Sequence, residues 1–186
     1  FVDQFSDLSF VYTQKSTTAE ETVKAKEAFE RYAKAHGVTV RHYHADNGIF
    51  AEAEFIRAVE QANQTISFCG VNAHHMNGHA EKRIRDLQEN ARAMLLHAKR
   101  RWPSAVSAHL WPYAVRMANE VHNFAPSIKE GISPIERFSQ VAVSPRVKHC
   151  HTFGCPVSPL ILDASGGAVQ RQFADRYPHP SGTLVT

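Results

Sequence analysis

His44-Ala45-Asp46-Asn47-Gly48 decides the reading of this chain, together with Asn77-Gly78-His79-Ala80-Glu81-Lys82-Arg83, whose acid lies 35 positions beyond Asp46. The first stretch reads as a strand running into the tight-turn pair Asn47-Gly48. A carboxylate at a strand end faces the crevice in which α/β folds bind ligands. The second reads as a loop opening a long helix, with Glu81 in its first turn. Each acid has an ordinary reading as well: Glu81 is favourable with the helix dipole wherever it sits on the fold. The pair in its local contexts points further. Hard divalent cations such as Mg²⁺ or Mn²⁺ take oxygen ligands. Two of them about 4 Å apart clamp the attacking and leaving oxygens of a displacement at phosphorus. One carboxylate usually bridges the ions, so such a site wants a third acid.

Outward from these stretches the chain reads as alternating strands and helices. Phe1 to Phe5 and Ser9 to Gln14, rich in Phe, Val, Tyr and Thr, predict two strands about the turn Ser6-Asp7-Leu8. Thr18-Ala19-Glu20-Glu21 is a capping box, and it starts a helix whose apolar face carries Ala25, Ala28, Phe29, Tyr32 and Ala33. Gly37 ends it. Val38 to His44 alternates as a strand does, with Val38, Val40, His42 and His44 on one face. A helix over Ala51 to Ala62 and a short strand over Thr65 to Cys69 follow. Beyond the polar loop Gly70 to Gly78, His79 to Arg100 carries the stripe Ile84, Leu87, Ala91, Met94, Leu95 and Ala98. A further helix runs from about Ser104 to His122, kinked or started late by Pro112. Ser133-Pro134 opens a short one. Gly154 to Leu162 reads as a strand. Asp163 to Thr186, with Ser-Gly-Gly and little periodicity, reads as mostly disordered. The expected architecture is α/β, a mixed sheet flanked by helices.

The bulk numbers narrow the function classes. The chain has 186 residues, a net charge of +3 and a pI near 8.8. That is a mild basic lean, compatible with a polyanionic partner. Three cysteines without framework spacing argue for a reducing compartment. No apolar run is long enough to span a membrane and no signal peptide opens the chain. The start at Phe1, inside an apolar run and without a Met, reads as a fragment. On the long helix Glu81, Arg85, Gln88 and Arg92 form one polar strip. Arg85 and Arg92 can neutralise phosphate, and Gln88 can bond phosphate or a base edge; an ordinary solvated face with a Glu81–Arg85 pair is the competing reading. His42, His44, His74, His75 and His79 lack the paired spacing of a zinc finger, and Cys150-His151 with Cys155 does not complete one. Trp102 and Trp111 flank helices and read as core.

Four blocks of the sequence resemble the integrase core of copia-type long-terminal-repeat retrotransposons. They are Phe1 to Asp7, His44 to Gly48, Asn77 to Arg83, and His149 to Pro156 with its Thr152-Phe153-Gly154-Cys155; Leu110-Trp111 and Asn123 to Pro126 fit between them. The resemblance implies a ribonuclease H-like fold. It also implies a metal-dependent polynucleotidyl transferase that trims the 3′ ends of element DNA and joins them to target DNA, working as a homo-oligomer with Mg²⁺ or Mn²⁺. It implies Asp46 and Glu81 as catalytic metal ligands, Arg85 and Gln88 as DNA contacts, and Gly70 to Gly78 as the loop beside the site; Arg92 joins the candidate DNA contacts through the polar strip of the helix. Localisation follows the family: a nuclear or cytoplasmic particle, not secretion.

Three departures accompany the resemblance. The first catalytic Asp of the family belongs to a central strand preceding the one at Phe1, and Asp3 matches a non-catalytic position. The Asp46–Glu81 interval is one residue below the common spacing. The family's continuation after Leu162 is not matched. These imply a partial core over 1–126, a post-core extension over 127–162 and a tail over 163–186. They also imply a polypeptide that is poorly soluble and inactive alone. Two other functions remain open: a DNA-binding module that keeps the basic helix without the chemistry, and a hydrolytic nuclease of the same fold.

Overall fold

The computed structural model describes residues 1–70, 77–128, 130–143, 151–155, 161–162 and 168–169. The chain order is a hairpin, α1 (Ala19–Ala35), β1 (His42–Ala45), α2 (Ala53–Gln61), β2 (Thr65–Phe68), α3 (Gly78–Arg101), α4 (Trp111–Phe124) and α5 (Pro134–Ser139), then the two-residue strands β3 (Ile161–Leu162) and β4 (Ala168–Val169). β1 and β2 run parallel in register His42↔Thr65 to Ala45↔Phe68. β3 and β4 pair antiparallel. No helix among the described residues is long and apolar enough to cross a membrane.

The opening hairpin is narrower than the two strands its composition predicts. One bridge, Val2↔Ser9, represents it, flanked by the bonds Phe10 N to Phe1 O and Asp3 N to Leu8 O, both 2.8 Å. A turn tied to itself explains the shortening. Asp3 Oδ2 accepts from Ser6 N at 2.7 Å and Ser6 Oγ at 2.5 Å. Asp7 adopts φ 63°, a conformation that Asp tolerates better than most residues. Asp3 is thus a turn-forming residue. On the other side α4 replaces a strand partner. Asn123 Nδ2 donates to Ser9 O at 2.7 Å and Asn123 Oδ1 accepts from Ser9 N at 3.0 Å. One buried amide thereby satisfies both backbone groups of Ser9, as a neighbouring strand would.

Two apolar cores hold the layers together. The first joins Leu8, Phe29, Ala33, Tyr43, Phe55 and Val59 with Ile135 and Phe138 of α5. It is rich in aromatic contacts, such as Phe1 stacked on Phe29 at 5.0 Å. The second lies between α3 and α4, where Ala91, Ala98, Ala114 and Ala118 are each at most 2% exposed. Four alanines let the helix backbones approach closely, and Phe153 covers the far end. Gly154 follows with φ +74°; a Cβ there would sit 3.1 Å from that of Ala98. The Phe-Gly pair is therefore packing: an aromatic plug and a residue that only glycine can be.

Several sequence expectations shift in phase. The strand expected over Val38 to His44 begins only at His42. Val38 and Val40 pack on the first core, yet Tyr43 and Ala45 are the inward residues of β1, with His42 and His44 exposed. The alternation slips between Val40 and Tyr43. Ile84, expected in the apolar stripe of α3, is 55% exposed. The helix expected from Ser104 starts at Trp111, with Pro112 in its first turn, where a missing N–H costs nothing. Trp111 is 38% exposed, not core. The expected strand over Gly154 to Leu162 and the tail lie largely outside the described residues.

Candidate metal and nucleic-acid site

Parallel pairing puts the exits of β1 and β2 at the same end of the sheet. Asp46 stands at the first exit. Cys69 N bonds Ala45 O, and Asn47 Nδ2 donates to Cys69 O, both at 2.9 Å. The Asp46 loop is thus stapled to the segment that leaves β2 for α3. Asn47-Gly48 does this by side-chain bonding, and Gly48 keeps a negative φ of −79° as it opens a 3₁₀ turn over Ile49–Ala51. A Cβ on Gly48 would meet Asp46 Oδ1 at 3.5 Å, so the carboxylate curls back over this glycine. Glu81 occupies the first turn of α3.

Both acids are exposed, and among the described residues neither side chain is engaged in an ion pair or hydrogen bond. The contrast with Asp7 and Glu30, which are fully engaged, is instructive. Unengaged carboxylate oxygens at a strand exit and a helix start are the donor type that Mg²⁺ or Mn²⁺ prefers. The residues fit such an ion in kind, with water completing its shell. No group of three His, Cys, Asp or Glu able to hold a metal occurs among the described residues.

The N-terminal end of α3 is held by residues to which the sequence pattern gave no anchoring role. Asp7, at the hairpin tip, accepts from Arg83 Nη2 at 2.5 Å and from His79 Nε2 at 2.7 Å. His122 of α4 donates from Nε2 to Asp7 O at 2.9 Å, which leaves its Nδ1 to accept from Arg83 Nη1 at 3.1 Å. His122 is therefore neutral in the folded chain. Burial depresses its pKa, helped by the Arg83 charge and opposed by its bonds to Asp7. For Asp7, burial raises the pKa, but the hydrogen bonds from Arg83 and His79 and the charges of Arg83 and His122 outweigh it and hold the carboxyl low. Hairpin, α3 and α4 meet at this node, two residues from Glu81 along the helix. Its signal in the sequence was faint: Arg83 lies four residues before Leu87, on the inward flank of α3 beside Ile84, and its side chain is 13% exposed.

Arg85, Gln88 and Arg92 are all exposed on the outer face of α3 with Glu81. The Glu81–Arg85 ion pair of the competing reading is not formed. Of the histidines weighed for zinc, His42 bonds Thr65 Oγ1 at 2.7 Å and Ser67 Oγ at 2.9 Å. His44 bonds Ser67 Oγ at 2.8 Å and meets Cys69 Sγ at 3.4 Å. They form a polar ladder on the outer face of the sheet. His74 and His75 lie outside the described residues.

The fold is shared with catalytic cores of retroviral integrases. The HTLV-2 integrase catalytic core domain, solved in complex with magnesium in a trimeric form, matches with a TM-score of 0.56 at 21% identity, over 74% of this chain and 80% of that one. The catalytic core domain of BIV integrase matches with a TM-score of 0.54 at 20% identity, over 75% and 82%. No protein-family model and no curated protein matches the chain. The fold class is accordingly a ribonuclease H-like mixed α/β layer structure: the element order predicted the α/β layers, and the family resemblance implied the ribonuclease H-like form.

Proposed function

We propose that this chain is the catalytic-core region of an integrase of the copia-type retrotransposon kind, binding DNA along α3 and holding a divalent cation between Asp46 and Glu81. The observation that carries the reading is the coincidence of an integrase-core fold with two unengaged acids, one at the exit of β1 and one in the first turn of α3. A bound Mg²⁺ or Mn²⁺ would neutralise charge on a phosphate held beside it. Asp46 and Glu81 would hold the ion. Arg85 and Arg92 contact phosphates and Gln88 bonds a phosphate or base edge. The Asp7–Arg83–His122 node keeps the start of α3, and with it Glu81, in place.

The family reaction is 3′-end processing and strand transfer. Two carboxylates are one fewer than that reaction needs, so the 186-residue chain alone binds DNA and cation without turnover. Self-association belongs to the same reading, as in the trimeric form of the HTLV-2 core. The test is DNA binding by the purified chain with and without Mn²⁺, alongside a strand-transfer assay. The expected result is binding strengthened by Mn²⁺, the increment lost in Asp46→Asn, and no joined product. Strand transfer that Asp46→Asn abolishes would refute the inactivity. Binding indifferent to both Mn²⁺ and Asp46→Asn would leave a DNA-binding module without the chemistry.

A further inference from the structure

α3 contains seven Lys and Arg against three Asp and Glu, a net of +4 in a chain whose total is +3. One helix therefore outweighs the rest of the molecule. All three acids lie in its first half. From Asn90 to Asn119 no Asp or Glu occurs. The cations are also aligned. Arg85, Arg92 and Lys99 recur every seventh residue, which returns to nearly the same side of a helix at intervals of about 10.5 Å. That side is opposite the buried Leu87, Ala91 and Ala98. Arg100 flanks the line, and Arg101 stacks on Trp102 at 5.4 Å. Lys99 Nζ bonds the carbonyl of Pro103, which leaves its charge uncompensated. Among the described residues none of Arg92, Lys99, Arg100 and Arg101 has an acidic partner.

From this alignment we infer a second polyanion-binding zone at the C-terminal end of α3, centred on Lys99 and Arg100. It lies roughly 27 Å along the helix from Glu81, about eight base-pair steps of duplex. Its partner is a nucleic-acid backbone. An anionic membrane surface is disfavoured by the packing: a helix lying on lipid needs its apolar face free, and that of α3 is taken by α4 and Phe153. The zone deepens the proposed function by assigning the far end of the helix to backbone anchoring, separate from the acid-bearing end.

The experiment measures the salt dependence of duplex binding by the full chain, wild type and Lys99→Gln/Arg100→Gln. Both side chains are exposed, so the variant should keep the wild-type circular dichroism and melting. Each lost phosphate contact lowers the slope of log K against log salt by about 0.9. The expected result is a fall of about 1.8, with several-fold weaker binding at low salt. Lys15→Gln/Lys34→Gln, which removes the same charge elsewhere, should leave the slope at the wild-type value. DNA binding with an unchanged slope in the α3 variant would overturn the second zone alone, as would an equal fall in the control pair. Absence of any DNA binding would overturn the proposed function with it. Vesicles of phosphatidylserine that bind the chain in an Arg100-dependent manner, with the DNA slope unmoved, would also refute it.

Discussion

At the scale of single residues the least expected feature is Lys26, 2% exposed in a helix otherwise inward through Ala19, Thr22, Ala25, Phe29 and Ala33. It pairs with Glu30 at 2.9 Å and lies over the Tyr43 ring. Glu30 also accepts from Tyr43 Oη at 2.8 Å and Gln64 Nε2 at 2.6 Å. Burial raises the Glu30 pKa, and these three donors reverse that and hold it ionised. Removing the acid alone strands a buried cation. Glu30→Gln is predicted to lose about 3 kcal/mol, the low end for a broken buried pair because Glu30 keeps some exposure. Lys26→Met/Glu30→Gln should lose less than Glu30→Gln alone. Urea denaturation of the three proteins checks both statements. Nothing in composition marked Lys26: helical spacing put it near the inward face, but a lysine there is usually read as a snorkelling rim residue. Gly154→Ala should likewise destabilise, by about 1–3 kcal/mol, because the residue needs positive φ and Ala98 leaves no room. The Thr152-Phe153-Gly154-Cys155 block was visible in the sequence, but the requirement behind it was not.

Elements were legible where periodicity is local and strong. α1, with Thr18 accepting from Glu21 N, and α3 fall within a residue or two of their sequence boundaries. α5 keeps the reciprocal Ser133–Glu136 cap. What failed was phase. Ile84 turned outward because Arg83, its neighbour, is drawn in by Asp7 and His122, and a helix cannot present both. The β1 alternation slipped for the same kind of reason: Tyr43 reaches Glu30 and Phe55 inside, leaving His42 and His44 out. Both depend on partners distant in sequence. The α3–α4 contact gives a prediction at this scale. Ala91 is fully buried between close helices, so Ala91→Leu should force them apart and cost about 1–3 kcal/mol. A melting curve checks it, with Ala93→Leu, exposed on the same helix, near neutral.

Over the whole molecule two cores share the hairpin, which Asn123 and Ser9 bind to α4 and which Phe1 and Phe10 bind to α1. That arrangement makes the fold acid-sensitive. The folded pKa of His122 lies below its unfolded value of 6.5, so its contribution is complete above that pH and is lost as pH falls through the folded value. Asp7 and Glu30 lie below 3.8 and 4.5, so theirs is lost lower still. Melting temperature should drop as pH falls below the unfolded His value of 6.5 and more steeply once Asp7 and Glu30 protonate, and His122→Gln should flatten the upper limb. The α/β class and the element order were legible because each is local. Convergence of Asp46 and Glu81 on one cation would be a non-local property, which no local pattern carries. The proposed function requires those two acids to share one cation. The direct measurement is Mn²⁺-induced broadening of backbone amide NMR signals. It should centre on both Asp46–Gly48 and Gly78–Arg83 at the same Mn²⁺ concentration, and vanish from both in Asp46→Asn. Broadening confined to one segment, or persisting around Glu81 in that variant, would contradict it.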